Sequence, residues 1–262
     1  MSEWINAALL GLVEGVTEFL PVSSTGHLLI TEHFLGKHYT DLFNVVIQTG
    51  AVLAVLAIFW KRVQELLTRW QQPETRDYVL KLGVAFVITA VGGLALKHFG
   101  MKLPKEIGPI AWATLIGGIL FVLIEWQLKS RRTTNDVTWA IAIAFGLAQL
   151  VAAAFPGASR SGTTILFALA LGLARPAAVE FSFLLGIPTL LAAGAKEAKD
   201  AIHDHTPHES WSIILFATVV AAVTAFVVVK WLIGYVRNHT FTPFGIYRIV
   251  VGGALLAWAM KH

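Results

Sequence analysis

The chain reads as an all-α integral membrane protein, an inverted-topology repeat of six full transmembrane helices plus two re-entrant helical hairpins. Three observations carry that reading. Of 262 residues, 56% are hydrophobic and only 14% are charged, whereas a soluble domain carries roughly a quarter charged residues and needs them on its surface. Six apolar stretches come close to the roughly 20 residues that a helix needs to cross a bilayer. Two further apolar regions are interrupted by polar residues, and these two regions match each other. A porin-like barrel would instead show short alternating segments, so it is excluded.

In chain order, the first interrupted region covers about residues 4–36 and is followed by spans at about 42–60, 79–96 and 107–128. The second covers about 139–174 and is followed by spans at about 177–195, 212–236 and 244–260. Trp60, Trp126, Trp139 and Trp211 stand at the ends of these elements, as in an interfacial aromatic belt. Segment 61–78 reads as a loop. The N-terminal stretch has no basic region and includes Glu3, so it does not look like a cleaved signal peptide.

The first interruption runs Glu14-Gly-Val-Thr-Glu18-Phe-Leu-Pro21-Val-Ser-Ser24-Thr-Gly-His27, and the second runs from Gln149 through Pro156-Gly-Ala-Ser159-Arg160-Ser161-Gly162 to Thr164. An offset of 135 pairs Gly11 with Gly146, Glu14 with Gln149, Pro21 with Pro156 and Ser24 with Ser159. An offset of 134 pairs Pro109 with Pro243 and Gly118 with Gly252. The chain is thus one polytopic domain, residues 1–262, with internal repeats at about 1–135 and 136–262. Three spans per repeat is an odd number, so if each broken segment returns to the side it left, the repeats are inverted and their breaks meet near the midplane. The alternative is a pair of Pro-kinked helices that cross fully.

Orientation follows from basic residues. Lys61, Arg62, Arg69, Arg76, Lys129, Arg131, Arg132, Arg175 and Arg237 fall on one face; Lys37, Lys97, Lys102, Lys105, Lys196, Lys199 and Lys261 fall on the other. The small excess makes the first face cytoplasmic and places both termini outside. The net charge of +4 belongs with lipid headgroups and orientation rather than with nucleic acid. With no cysteine, disulfides, thiolate metal sites and cysteine nucleophiles are ruled out.

Charge away from loops is read as confined to Glu14, Glu18 and Arg160. Glu14 and Glu18, four apart, share one helix face, and carboxylates inside an apolar hairpin call for a cation, a proton or an arginine. Ser23, Ser24, Thr25 and His27 offer hydroxyls, amides and a titratable imidazole. Gly157, Ser159, Arg160, Ser161 and Thr164 offer a guanidinium whose planar fork suits phosphate, among hydroxyls and close backbone. An arginine that merely neutralises Glu14 or Glu18 is the plainer alternative. Both sets together suit a phosphate with its divalent metal. His203, Asp204, His205 and His208 form a potential metal cluster, read here as a solvated loop. Asp41, Asn44, Gln48, Glu180 and Ser182 either border the site or pair helices.

At these residues the sequence resembles the bacterial undecaprenyl pyrophosphate phosphatases, also called the bacitracin-resistance phosphatases. The Glu-x-x-x-Glu motif at Glu14 and Glu18, the Pro-Val-Ser-Ser-Thr-Gly-His run from Pro21 to His27 and the Pro-Gly-x-Ser-Arg-Ser-x-x-Thr motif from Pro156 to Thr164 match without departure. The stretches Glu180-Phe-Ser-Phe-Leu-Leu and Pro243-Phe-Gly-Ile-Tyr-Arg248 also look familial. The other lipid phosphatase signature fails, because Leu166 stands where its histidine belongs. The resemblance implies dephosphorylation of undecaprenyl diphosphate at the outer face of the bacterial cytoplasmic membrane, with a divalent cation. On that basis Glu14 and Glu18 hold Mg2+ or Ca2+, while Arg160, Ser159, Ser161 and loop amides clamp phosphate oxygens. Ser24 or His27 attacks phosphorus, with His27 as the base if Ser24 is the nucleophile; a phosphohistidine or attack by water stays open. A polyprenyl-phosphate transporter or flippase is the rival class, and a homodimer is compatible with the sequence.

Overall fold

The structure, a computed structural model, describes residues 2–99, 106–203 and 209–261. Among them are eleven helices and no strand. Helices α1 (Glu3–Thr17) and α2 (Ser24–Leu35) form a first hairpin, followed by α3 (Asp41–Ile58), α4 (Trp60–Thr68), α5 (Pro73–His98) and α6 (Ile107–Leu128). Helices α7 (Trp139–Ala154) and α8 (Arg160–Ala170) form a second, followed by α9 (Arg175–His203), α10 (Trp211–Tyr235) and α11 (Thr242–Ala259).

Six helices, α3, α5, α6, α9, α10 and α11, are long and apolar enough to cross a membrane, and these are the six spans expected. Their boundaries follow local chemistry. The Thr40 hydroxyl caps α3 by accepting from Phe43 N at 3.2 Å. Pro73 opens α5 at a position where a missing N–H is harmless, so this span starts six residues before the expected 79. The segment read as a loop contains α4, a helix in which Arg62 pairs with Glu65 at 2.8 Å.

Helix α1 packs on α10 and α7 on α5, while α3 packs on α9 and α10, and α6 on α11. Close approach needs small residues. A Cβ at Gly11 would lie 2.5 Å from Ala217 O, and one at Gly146 would lie 2.9 Å from Ala85 O. Outward faces are apolar, with Val91, Val223 and Val250 each more than 60% exposed, which in water would be unfavourable and in lipid is not. Phenylalanines fill the interior: Phe19, Phe145, Phe181 and Phe183 are fully buried in one cluster.

The ends of each hairpin are tied together. Lys37 Nζ donates to Glu3 Oε1 at 2.6 Å. Thr134 N donates to Gly172 O at 3.0 Å, and Ala174 N donates to Thr134 O at 2.7 Å.

The expectation that Glu14, Glu18 and Arg160 are the charges away from loops is corrected, because Glu32, Lys81, Glu125 and Arg248 are buried as well. Most of these have a side-chain partner. Glu125 pairs with Arg175 and accepts from Phe241 N at 2.8 Å, and Lys81 pairs with Asp77. Of the histidine-rich stretch, His203 ends α9, while Asp204, His205 and His208 lie outside the described residues, as do Lys102 and Lys105.

Candidate active site

Each hairpin unwinds and then restarts on a serine with positive φ. Ser23, at φ 77°, caps α2 by accepting from Gly26 N at 3.3 Å. Ser159, at φ 69°, caps α8 by accepting from Gly162 N at 3.1 Å. A serine held at positive φ costs on the order of 1–3 kcal/mol and persists where the surroundings over-determine it, commonly at functional sites. The two caps correct the pairing of Ser24 with Ser159. One residue lies between Pro21 and Ser23, but two lie between Pro156 and Ser159. The second break is one residue longer, so Ser23 matches Ser159 and Ser24 matches Arg160.

The two tips interlock through Glu18, which is 6% exposed. Ser24 Oγ donates to Glu18 Oε2 at 2.7 Å, and Arg160 Nη2 donates to Glu18 Oε1 at 3.2 Å. Ser161 Oγ reaches the carbonyls of Glu18 and Leu20 at 3.2 and 3.1 Å. The Arg160 guanidinium lies 5.4 Å over the Phe19 ring, and its Nη1 reaches Ser182 O at 3.4 Å. Thr164 Oγ1 meets Ser182 Oγ at 2.7 Å and accounts for Ser182. Beside this junction lies a cavity of about 230 Å³, lined by Glu18, Ser24, Thr25, Gln48, Gln149, Pro156, Gly157, Ser159 and Arg160, among others. Gln48 thus borders the site from α3.

Five expected site residues, Glu14, Ser23, His27, Ser161 and Thr164, do not line that cavity. Glu14 is fully buried, and neither carboxylate oxygen meets a hydrogen-bond partner. Ser23 and Ser161 are buried supports rather than lining groups. His27 is turned toward α11. Its Nδ1 lies 2.8 Å from Ser23 O, a pure acceptor, so Nδ1 carries the hydrogen. Its Nε2 therefore accepts from Tyr247 OH at 2.6 Å, and the two rings stack at 5.7 Å. In this structure Ser24 donates to Glu18 and not to His27, whose imidazole nitrogens face Ser23 O and Tyr247 OH.

Among the remaining candidates, Glu180 accepts from Arg62 Nε at 3.0 Å, and Asn44 Nδ2 donates to Glu32 Oε1 at 3.1 Å. No three His, Asp or Glu side chains gather as a metal-binding group among the described residues.

The sequence reading missed Arg248 and Tyr247 as parts of the site. Arg248 is fully buried and donates to the carbonyls of Thr114, Ala113, Pro21 and Gly157 at 3.2–3.3 Å. Its signal was present, a charge in the middle of the apolar run from residue 243 to 260, but nothing in the linear order ties it to either break.

Comparison with known proteins places the chain in a family. The sequence model of the bacitracin resistance protein BacA matches residues 7–254. An undecaprenyl-diphosphatase of Rhizobium etli (strain CIAT 652) is 50% identical over 98% of this chain and 97% of its own. That of Xylella fastidiosa (strain 9a5c) is 52% identical over 98% and 99%, and that of Xanthomonas euvesicatoria is 48% identical over 98% of both. With relatives matching end to end and the family model spanning nearly all of it, the chain belongs to the BacA bacitracin resistance family.

Proposed function

We propose that the chain is a phosphatase that converts undecaprenyl diphosphate to undecaprenyl phosphate and inorganic phosphate, recycling the lipid carrier of cell-wall glycan synthesis. The observation that carries the reading is the cavity where Glu18, Ser24 and Arg160 meet beside the first turns of α2 and α8. First-turn amides have no acceptor within their own helix and carry partial positive charge, so two such ends favour a phosphate. Ser159, Thr25 and Gln48 add neutral donors around it.

In this reading Ser24 Oγ attacks the terminal phosphorus while its proton passes to Glu18 Oε2, already 2.7 Å away. The Oγ–P bond forms as the bond from phosphorus to the bridging oxygen breaks, and undecaprenyl phosphate departs with that oxygen. Arg160 and the amides meet the charge that builds on the remaining oxygens. Water then hydrolyses the phosphoserine. Glu14 fits a divalent cation, Mg2+ or Ca2+, because a buried carboxylate without a donor is unfavourable by several kcal/mol unless a cation meets it. With Glu18 one turn on, the two carboxylates would hold the ion. Such an ion supplies neutralisation of diphosphate charge.

The architecture belongs to the same proposal. At 1.5 Å per residue, α1, α2, α7 and α8 run about 17–24 Å, short of a hydrocarbon layer of about 30 Å. The tie between Lys37 and Glu3, and the pair of bonds at Thr134, join the two ends of each hairpin, which supports re-entrance. A Cβ at Gly118 would lie 2.9 Å from Ile249 N, and one at Gly252 would lie 2.7 Å from Leu115 N. Adding 134 turns the first contact into the second with partners exchanged, the pattern of a two-fold axis, here between antiparallel helices. That supports inverted repeats within one domain. With the basic face cytoplasmic, the first hairpin and the cavity open to the outer side. A homodimer completes the reading, and detergent-phase crosslinking measures it.

Purified protein in detergent, given undecaprenyl diphosphate with and without chelator, tests the function. Phosphate release that the chelator abolishes is expected; no release would overturn the phosphatase in favour of a carrier. Rapid quench with labelled substrate is expected to trap phosphate on Ser24, and label on His27 would reverse that assignment.

A further inference from the structure

We infer that Arg248 is a positioning residue that holds the two halves of the phosphate site in register, an inference that rests on the phosphatase reading. The guanidinium is fully buried, and no carboxylate pairs with it among the described residues. Leaving a charge unpaired in the interior is unfavourable by several kcal/mol unless hydrogen bonds replace the lost water. Here four carbonyls do so: Nε donates to Thr114 O, Nη1 to Pro21 O, and Nη2 to Ala113 O and Gly157 O.

Two of those acceptors decide the role. Pro21 O lies in the first break, two residues before the Ser23 cap, and Gly157 O lies in the second, two residues before the Ser159 cap. One rigid planar group therefore fixes the spacing between the loop that carries Glu18 and Ser24 and the loop that carries Arg160. The Thr114 hydroxyl also reaches Gly157 O, at 3.2 Å, so α6 and α11 grip the second break together. Gly162 packs against the guanidinium, where a Cβ would lie 2.8 Å from Nη1.

The electrostatics agree. Pro21 and Gly157 follow the C-terminal ends of α1 and α7, where partial negative charge collects, and a cation is favourable there. Arg248 thus answers the negative ends of two helices while the positive ends of α2 and α8 stay available to the phosphate. A neutral donor would satisfy fewer carbonyls and leave those ends unopposed. A lysine, as a point charge without the fork, would satisfy some but not fix their spacing.

The test compares Arg248→Lys, Arg248→Gln and Thr114→Val with wild type, in detergent, by kcat and KM for undecaprenyl diphosphate together with the thermal midpoint. Both Arg248 variants are expected to lose about 10²-fold in kcat with KM within about threefold, Lys losing less than Gln, because misplacement by about 1 Å acts on the transition state more than on ground-state binding. Thr114→Val, a milder change should the arginine variants fail to fold, is expected to lose about fivefold in kcat, the equivalent of one ordinary hydrogen bond. Arg160→Lys is expected to cost less in the Arg248→Lys background than in wild type, since the alignment it exploits is already gone. Unchanged kcat in folded variants, losses confined to the thermal midpoint, or strict additivity with Arg160→Lys would overturn the proposal. A wild-type protein that releases no phosphate overturns the phosphatase reading and this inference with it; an active wild type beside fully active variants overturns this inference alone.

Discussion

At the restart of α2, Ser23 caps Gly26 at φ 77°, and at the restart of α8, Ser159 caps Gly162 at φ 69°. Both breaks contain a proline and give a carbonyl to Arg248. The backbones are two solutions of one problem, a chain that turns back inside an apolar interior. The side chains diverge: where the first hairpin carries Glu14, Glu18 and Ser24, the second carries Gln149, Ala153 and Arg160. Gln149 satisfies itself by donating to Thr89 Oγ1 at 2.9 Å, whereas neither carboxylate oxygen of Glu14 meets a hydrogen-bond partner. Caps and glycines thus build the turn twice, and substitutions at a few matched positions make one tip acidic and the other basic. Their attraction through Glu18 and Arg160 closes the site.

The comparison breaks most severely at that ion pair. Arg160→Ala and Glu18→Ala each remove one side and leave the other charge buried and alone; phosphate release should fall by at least about 10³-fold, and near-full activity in either would remove both from the site. Glu14→Gln makes the first hairpin resemble the second. It should keep the fold and lose about 10²-fold in activity and in the apparent affinity for the proposed Mg2+ or Ca2+, read from metal titrations. The reciprocal Gln149→Glu replaces the amide that donates to Thr89 Oγ1 with a second buried carboxylate. It should lower stability by about 1–3 kcal/mol, seen as a reduced thermal midpoint. Smallest are the caps: Ser23→Ala and Ser159→Ala should each lose about 1 kcal/mol, and a large difference between them would mean that the restarts are not equivalent.

Much of this was legible in the sequence because membranes restrict the options. Six apolar stretches became six candidate spans, and Glu18, Ser24, Ser159 and Arg160 do line one cavity. Less legible was what depends on rotation and on distant partners. Helix α4 escaped because residues 61–78 are polar and a short interfacial helix has no span-length signal. The one-residue slip at Ser159 escaped because an ungapped offset of 135, anchored on Pro21 and Pro156, already pairs Ser24 with Ser159. The orientation of His27 was decided by Tyr247, 220 residues away. Arg248 looked like an ordinary residue of a familial stretch, since its acceptors are all backbone carbonyls, and carbonyls have no letter in the sequence.

Consider the length of α2. Its 12 residues extend about 18 Å, so on the re-entrant reading proposed above a cavity at its start lies well below the plane in which lipid phosphates reside. A substrate anchored by its own tail must sink its diphosphate to that depth, or the surrounding leaflet must thin to meet it. Acyl-chain length in the host bilayer then becomes a kinetic variable, with each ångström of mismatch contributing a fraction of a kcal/mol to the ascent or descent of the headgroup. The enzyme and its membrane are, in that sense, parts of one machine.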